Sequence, residues 1–474
     1  MELIGFRFFI AFMHYVAVLK WPLLAILVVF VAFQLKKFCP KERLQALLMF
    51  LYFFLIITSF WILKPVKKSL FIGHYAQGGF NLGDWYLDAA GAEQIAKVLN
   101  MIVAFGAATI FTLLARSLRR QQLTYVFTSF FAAAYVLYSF VISSPSDVTV
   151  WSFYLLGDLF STLMVATFFA FLNDSVSPES AKRLYGLIGL GGVAGGGVGS
   201  SVVGIYVEHT SPTVWLWVCL VLAVAIGLIA MAAGRLVQQN TFSHNELTTN
   251  EQPKLNRNAA LEGLQLVLRS RYLLSIVAIV GLYEMVSTIM DYQFTSTVTY
   301  YLGSDKEALV AHLSRVFPFT NLIAMGVQLF LTSFIMTRFG VGTALLFLPI
   351  AALLGSLAFM VVPVLLVGSF LNTADNGFSY SINQSAKEIL YVPATKEEKY
   401  KAKAFIDIFV QRFAKALAVA LNLAISTLFV SSHNLAGIRW LSVVTGIILV
   451  IWIIAVRYAG RVFWTMEKER VGHA

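Results

Sequence analysis

The chain has 474 residues, of which 59% are hydrophobic and only 12% are charged, and its mean hydropathy is +0.77. Soluble domains are about 25% charged, so this composition excludes a water-soluble globular protein and indicates a chain built for a lipid bilayer. The net charge of +11 is spread over short loops, without a basic tail or a soluble domain, which argues against a nucleic-acid partner. Two cysteines and seven scattered histidines predict no disulfide framework, metal site or cofactor.

The first predicted segment, residues 1–43, is an apolar stretch broken by Lys20 and Pro22. It is predicted to be an extra hydrophobic segment that either lies at the membrane interface or spans it. A signal peptide is disfavoured because a basic start and a small-residue cleavage site are missing, although Arg7 is present.

Apolar runs of about 20 residues then recur, each long enough for a helix that crosses about 30 Å of hydrocarbon. These runs predict an all-α polytopic membrane protein with twelve spans. The spans are 44–63, 93–115, 123–143, 150–172, 184–207, 212–234, 273–298, 309–335, 342–362, 365–386, 404–429 and 437–457.

Loop charge predicts the orientation of these spans. Alternate loops are rich in lysine and arginine, whereas the loops at 144–149, 208–211 and 363–364 have none. Because basic loops are retained in the cytoplasm, both ends of the twelve-span unit are predicted to be cytoplasmic, in a bacterial inner membrane.

The longest polar segment, 235–272, divides the spans into two sets of six. We therefore expect a six-helix bundle over 44–234, a cytoplasmic linker over 235–272, a second bundle over 273–460 and a cytoplasmic tail over 461–474. This plan is similar to the 6+6 architecture of major-facilitator transporters, in which two bundles rock around a central site.

Charged side chains at membrane depth are the strongest functional clues, because each costs at least about 2.5–3.5 kcal/mol to insert. Lys64, Lys67 and Lys68 share one helical face if span one continues past Pro65. Three ammonium groups on one face favour a phosphate or carboxylate ligand. In the alternative, the helix ends at Pro65 and the lysines reach the outer headgroups.

Span four contributes Asp158, a predicted partner of the span-one lysines. In span seven, Glu284 and Asp291 are two turns apart and share a face. These two carboxylates are predicted to pair with cavity lysines or to carry protons, and structural ion pairs between helices are the alternative.

Spans ten and eleven hold further polar groups at membrane depth. Arg412 and Lys415 are predicted to bind an anion, although Asp407 and Gln411 could instead satisfy Lys415 within its own helix. The complete set predicted in these two spans and the residues between them is Asp375, Asn376, Lys387, Glu388, Asp407, Arg412 and Lys415.

The glycine-rich run 189–199 in span five is predicted to permit close helix packing, since no soluble nucleotide-binding context surrounds it. The chain has no phosphate-binding loop with the Gly-x-x-x-x-Gly-Lys-Ser/Thr pattern, no nucleophile elbow and no zinc-binding helix. The sequence therefore predicts no catalytic residues, no enzyme activity, and transport driven by exchange or by an ion gradient.

Three segments together resemble the nucleotide translocase family, the ATP/ADP exchangers of plastids and intracellular bacteria within the major facilitator superfamily. In the first, 61–70, Lys64 and Lys67 stand at the arginine and lysine of the family's Leu-Arg-Asp-x-Lys-Asp stretch, whereas Pro65 and Lys68 replace its usual acidic residues. The second, 181–189, is similar to Lys-Arg-Phe-Tyr-x-Leu-Phe-Gly. The third, 387–407, is similar to Glu-x-x-Tyr-x-Pro followed by Lys-x-Lys-Ala-x-x-Asp.

The resemblance implies nucleotide exchange by alternating access, with basic side chains holding phosphates. The substrate-binding residues are then expected to be Lys64, Lys67, Lys68, Asn376, Lys387, Arg412 and Lys415. The gating or coupling residues are expected to be Asp158, Glu284, Asp291, Asp375, Glu388 and Asp407. Two alternatives stay open: proton-coupled transport of another organic anion, and a non-transporting receptor or scaffold that acts through its cytoplasmic loops.

Overall fold

The computed structural model describes residues 29, 31–32, 35–36, 40–83, 85–175, 178–207, 210–241, 259–391, 393, 402–428, 435 and 437–472. The predicted amino-terminal segment, 1–43, lies mostly outside these residues, as does much of the predicted linker. The described part is mostly helical, and its strands form one short antiparallel hairpin that pairs Phe80 with Leu87. The all-α class predicted from composition is therefore confirmed.

From residue 40 onward, the described amino-terminal part contains six long helices and the hairpin. They are α1 (Pro40–Tyr75), β1 (Phe80–Leu82), β2 (Trp85–Leu87), α2 (Ala89–Ser117), α3 (Arg120–Val141), α4 (Asp147–Ser175), α5 (Pro178–Tyr206) and α6 (Pro212–Thr241).

The described carboxy-terminal part contains more helical segments than the amino-terminal part, and most of them are shorter. They are α7 (Ala259–Arg269), α8 (Arg271–Leu302), α9 (Lys306–Gly326), a π-helical turn (Val327–Thr332), α10 (Ser333–Ala344), α11 (Phe347–Val361), α12 (Leu365–Phe378), a second π-helical turn (Ser379–Asn383), α13 (Gln384–Leu390), α14 (Lys403–Phe405), a third π-helical turn (Ile406–Val410), α15 (Gln411–Leu428), a 3₁₀ turn (Ile438–Trp440) and α16 (Leu441–Gly472).

Within the described residues, nine helices are long and apolar enough to cross a membrane. A tenth candidate span is formed by 334–344 and 347–361, which are bent by 66° against each other. The predicted spans at 365–386 and 404–429 also fall on helices, but each of these is interrupted by a π-helical turn. Such turns insert an extra residue into the helical hydrogen-bond ladder, and hydropathy carries no signal for them.

Span one does not end at its proline. Helix α1 continues through Pro65 to Tyr75, so the alternative in which the helix stops below the lysines is wrong. Membrane interiors favour this continuation, because a backbone without helical hydrogen bonds would have no water to satisfy it. The continued helix carries all three lysines of the predicted face.

Contacts divide the chain into two compact units. The amino-terminal unit contains the described residues within 10–248 together with 303–322, and the carboxy-terminal unit contains those within 249–302 and 323–474. The first part of α9 thus packs with the amino-terminal unit. The predicted boundaries of the two six-span bundles and of their linker stay predictions.

The glycine run of α5 packs against α1 inside the amino-terminal unit. A Cβ built on Gly195 would lie 2.5 Å from the carbonyl oxygen of Phe54, and one on Gly199 would lie 2.5 Å from that of Thr58. Both distances are far below van der Waals contact, so only glycine permits this approach of the two backbones. The packing role predicted for the run is confirmed.

Candidate functional site

The lysine face of α1 meets an acidic side chain of α4. The ammonium of Lys67 forms an ion pair with Asp158, and it also lies 4.3 Å from the ring centroid of Tyr154. Gly157 makes room for this arrangement, because a Cβ at that position would come within 2.7 Å of the Lys67 side chain. Lys67 itself is buried, and Asp158 and the aromatic ring compensate its charge.

A second ion pair lies one residue further along α1. Lys68 contacts Glu93 of α2 at 3.2 Å, and Lys97, one turn after Glu93, lies 3.9 Å from its other oxygen. The hydroxyl of Tyr154 donates a hydrogen bond of 2.9 Å to Glu93. Tyr154 therefore contacts both ion pairs, through its ring on one side and its hydroxyl on the other.

Lys64 lies one turn before Lys67 and is half-buried among aromatic rings. Its ammonium is 4.2 Å from the ring centroid of Trp61 and 5.7 Å from that of Phe317, which belongs to the part of α9 in the same unit. Aromatic faces attract a desolvated cation without neutralising it. The position suits a group that can also hold an anionic ligand.

We call these groups the lysine cluster. It consists of Lys64, Lys67, Lys68, Glu93, Lys97, Tyr154 and Asp158. The cluster concentrates ammonium groups in an apolar helix bundle, where charge interactions are stronger than in water. This chemistry suits the binding of a polyanion.

The carboxy-terminal unit contains an ion pair between spans seven and eleven. Glu284 of α8 contacts Lys415 of α15 at 3.3 Å. The Glu284 side chain is only 9% exposed, whereas that of Lys415 is 48% exposed. Lys415 thus pairs with a carboxylate of the neighbouring helix, while the side-chain amide of Gln411 contacts Asp407 at 3.4 Å.

Span ten adds polar groups beside α8. The hydroxyl of Ser287 donates a hydrogen bond of 2.6 Å to the buried Asp375. Asn376 bonds back to the carbonyl of Asn372 in its own helix at 2.9 Å. The amide oxygens of Asn372 and Asn383 are buried without a hydrogen-bond partner. Asn372 precedes the second π-helical turn and Asn383 ends it, and both π-helical turns and buried polar atoms without partners occur often at functional sites.

The polar groups near the ends of spans ten and eleven form another network. Glu388 forms an ion pair with Lys403, and the ammonium of Lys403 lies 5.5 Å from the ring centroid of Tyr391. Lys387 is buried, and it interacts electrostatically with Asp407. Burial and the nearby Asp407 and Glu388 carboxylates raise the pKa of the Tyr391 phenol above its ordinary range, so this phenol stays protonated.

The predicted site residues thus fall into two groups, each inside one unit. Lys64, Lys67, Lys68 and Asp158 come together in the amino-terminal unit. The others lie in the carboxy-terminal unit, where Arg412 and Asp291 are half-buried on α15 and α8.

Sequence reasoning missed Glu93, Lys97, Tyr154 and Ser287. Glu93 and Lys97 had a detectable signal, namely two opposite charges four residues apart at the start of an apolar span. Tyr154 and Ser287 had none, because tyrosine and serine are common in membrane helices and only their packing positions them here.

Comparison of the sequence with known families and proteins identifies related transporters. The sequence profile described as TLC ATP/ADP transporter matches residues 146–366 and 360–463. ADP,ATP carrier protein 1 of Chlamydia pneumoniae is 23% identical over 491 residues, covering 89% of this chain and 92% of the relative. ADP,ATP carrier protein 1 of Rickettsia bellii is 20% identical over 486 residues, covering 90% and 93%.

Solved structures with a similar fold are also transporters. A mutant of the nucleoside transporter NupG matches with a TM-score of 0.62 at 12% identity, covering 88% of this chain and 99% of NupG. An inward-facing, unoccupied bacterial homolog of the human lysosomal transporter Spinster matches with a TM-score of 0.59 at 13% identity, covering 90% and 99%. At these identities the likeness shows the fold alone, which is that of major-facilitator-like transporters.

Proposed function

The chain belongs to the TLC ATP/ADP transporter family, and on that premise we propose that it exchanges nucleotides across a membrane by alternating access. It is a multi-pass integral membrane transporter and not an enzyme, as the sequence predicted. Its relatives are ADP,ATP carrier proteins, and the substrate we propose for this chain is of the same class, an adenine nucleotide or a closely related phosphorylated anion.

One observation carries the proposal: each unit holds an ion pair between two of its helices at membrane depth. These pairs are Lys67 with Asp158 and Lys415 with Glu284. In an empty transporter the pairs keep buried charges compensated. A phosphate that binds Lys67 or Lys415 displaces the carboxylate, and this difference in contacts between the empty and loaded states can shift a conformational equilibrium.

The burial of the partners fits such competition. In the pair of the carboxy-terminal unit the cation is half exposed while the carboxylate is buried, so an incoming anion reaches the ammonium first. In the pair of the amino-terminal unit Lys67 is buried and Asp158 is the more exposed partner. Asp158 can therefore turn to water when a phosphate takes its place.

The other predicted residues are proposed to support these two pairs. Lys64 is proposed to hold a further phosphate oxygen, since its half-buried ammonium lies among aromatic rings on the same helix as Lys67. In the carboxy-terminal unit, the proposed ligands are Asn376, Lys387 and Arg412, and the proposed gating residues are Asp291, Asp375, Glu388 and Asp407. The contacts of Asp375 with Ser287 and of Glu388 with Lys403 support gating, because each joins polar groups of different helices.

The membrane and the orientation are also part of the proposal. The basic loops support an orientation in which both ends of the twelve-span unit, including the carboxy terminus, lie on the cytoplasmic side, and the membrane we propose is a bacterial inner membrane. The two bundles joined by a cytoplasmic linker would then present the site to each side in turn.

Counter-exchange in proteoliposomes tests the proposal. Purified protein is reconstituted, the vesicles are loaded with ADP, and uptake of labelled ATP is measured with empty vesicles as the reference. We expect uptake that requires internal nucleotide. Lys67→Met and Lys415→Met should each abolish most of it, while Lys468→Met, which changes an exposed lysine outside the site, should leave it intact.

The same vesicles separate exchange from proton coupling. Uptake by nucleotide exchange should be unchanged when an ionophore removes the proton gradient. Uptake that collapses with the gradient and with Glu284→Gln would favour the proton-coupled alternative, and no uptake of any common nucleotide would refute the substrate we propose.

A further inference from the structure

Glu93 is the most deeply buried carboxylate of the lysine cluster. Its side chain is 1% exposed, and it is held from three helices: by Lys68 of α1 at 3.2 Å, by Tyr154 of α4 at 2.9 Å and by Lys97 of its own helix α2 at 3.9 Å. Two ammonium groups and one hydroxyl therefore surround a single carboxylate, so the buried negative charge of Glu93 is fully compensated.

The two ion pairs of α1 differ in what happens when they open. The lysines are equally buried, but Asp158 is 24% exposed, against 1% for Glu93. If Lys67 moves to a phosphate, Asp158 can be hydrated. If Lys68 moved, the carboxylate of Glu93 would lose its nearest cation inside the helix bundle, which is strongly unfavourable.

We propose that Glu93 is a specificity-determining residue that sets the charge of the anion accepted by the amino-terminal unit. Glu93 holds Lys68 and Lys97, so that the ammonium groups that bind the substrate are those of Lys67 and Lys64. This inference rests on the proposed nucleotide exchange and deepens it. Lys68, which the sequence predicts to be a direct ligand of the substrate, is then a partner of Glu93.

The size of the effect follows from charge alone. Glu93→Gln adds one positive charge near the lysine cluster, and ATP carries one more negative charge than ADP. At roughly 10 Å and an effective dielectric constant of about 20, the added attraction corresponds to a change on the order of tenfold in the preference for ATP over ADP. Lys68→Met removes one positive charge and should change the preference by a similar factor in the opposite direction.

The experiment measures this preference in ADP-loaded proteoliposomes that take up labelled ADP, with a chelator present so that magnesium does not mask the phosphate charge. Unlabelled ATP and ADP compete, and the ratio of their half-inhibitory concentrations is the readout. The proteins are the wild type, Glu93→Gln, Lys68→Met and the Glu93→Gln/Lys68→Met double variant. Relative to the wild type, we expect Glu93→Gln to shift the ratio toward ATP and Lys68→Met to shift it toward ADP. The double variant should return to the wild-type ratio.

Shifts of the ATP/ADP ratio in opposite directions distinguish a charge effect from damage to the fold. If Glu93 and Lys68 had only a structural role, both single variants would lower uptake without moving the ratio in opposite directions. If Glu93→Gln fails to fold, Lys68→Met and the double variant still decide, because the first must shift the ratio toward ADP and the second must restore it. Unchanged ratios, or shifts in one direction, overturn the inference while wild-type exchange upholds the proposed function. A wild type without nucleotide uptake overturns both.

Discussion

Replacing Gly157 by alanine changes no charge and removes no donor, yet it should impair substrate binding. The added Cβ would lie 2.7 Å from the Cδ atom of Lys67, well inside the 3.4–4 Å of an ordinary contact. Both backbones are helical, so the least costly relief is a new rotamer of the flexible lysine. That rotamer takes the ammonium away from Asp158 and Tyr154.

The expected magnitudes differ for stability and for binding. Alanine is favoured over glycine in a helix by about 0.8–1 kcal/mol, a displaced rotamer costs about 0.5–1.5 kcal/mol, and opening the Lys67–Asp158 ion pair costs about 1–3 kcal/mol more, so the unfolding free energy should fall by about 1–3 kcal/mol. A hydrogen bond to a charged group contributes about 1.5–3 kcal/mol, so a misplaced Lys67 should weaken nucleotide binding by about ten- to hundredfold.

The assay combines a thermal melt in detergent with the concentration dependence of counter-exchange. Gly106→Ala is the matched control, because it changes a glycine within helix α2 that has open space around its Cβ. Lys67→Met is the reference for complete loss of the ammonium. We expect Gly157→Ala to stay folded, to melt moderately below the wild type, and to need about ten- to hundredfold more nucleotide for half-maximal uptake.

Two results would refute the reasoning. Half-maximal uptake at the wild-type concentration would mean that the position of Lys67 against Asp158 does not matter for the substrate. A loss of stability well beyond about 3 kcal/mol would mean that helix α4, and not the lysine side chain, absorbs the overlap.

Lys415→Met should lower the unfolding free energy by about 3 kcal/mol, because it leaves the buried Glu284 carboxylate without the cation it contacts. Glu284→Gln should cost about half as much, because the lysine it leaves is half exposed. Equal losses in thermal melts would contradict this. Gly195→Leu should cost about 3 kcal/mol or more, because its Cβ would meet a backbone carbonyl of α1, whereas Gly189→Ala, with open space, should be tolerated; the yield of monodisperse protein checks both. Tyr52→Phe removes a buried hydrogen bond of 2.7 Å and should cost about 1 kcal/mol in the same melts, and an unchanged melting temperature would show that the bond contributes nothing.

The helices were predictable because lipid imposes a simple rule on sequence. A span must be apolar for about 20 residues and must satisfy its backbone internally, so each predicted span coincides with helical residues of the structure. The hairpin at 80–87 and the three π-helical turns were not predicted. Each depends on a local shift in hydrogen bonding that leaves hydropathy unchanged.

The residues of the candidate site were easier to predict from the sequence than the ion pairs that they form. Lys67 and Glu284 stood out because a charge in an apolar run is costly wherever it points. The sequence also predicts Asp158 as a partner of the span-one lysines, whereas for Lys415 helical spacing suggests a partner in its own helix and the structure shows one in the neighbouring helix. Residue spacing predicts which side chains share a face of one helix, whereas these ion pairs join two different helices.

The sequence alone thus determined that this protein is a bundle of membrane helices with a small set of buried charges, because both properties follow from the cost of placing polar groups in lipid. Only the tertiary structure decided which lysine pairs with which carboxylate. The rotation and packing of α1, α2 and α4 give Lys67 to the partly hydrated Asp158 and Lys68 to the fully buried Glu93. Two adjacent lysines of one motif therefore acquire different surroundings, and the physical reason is the access of water to their partners.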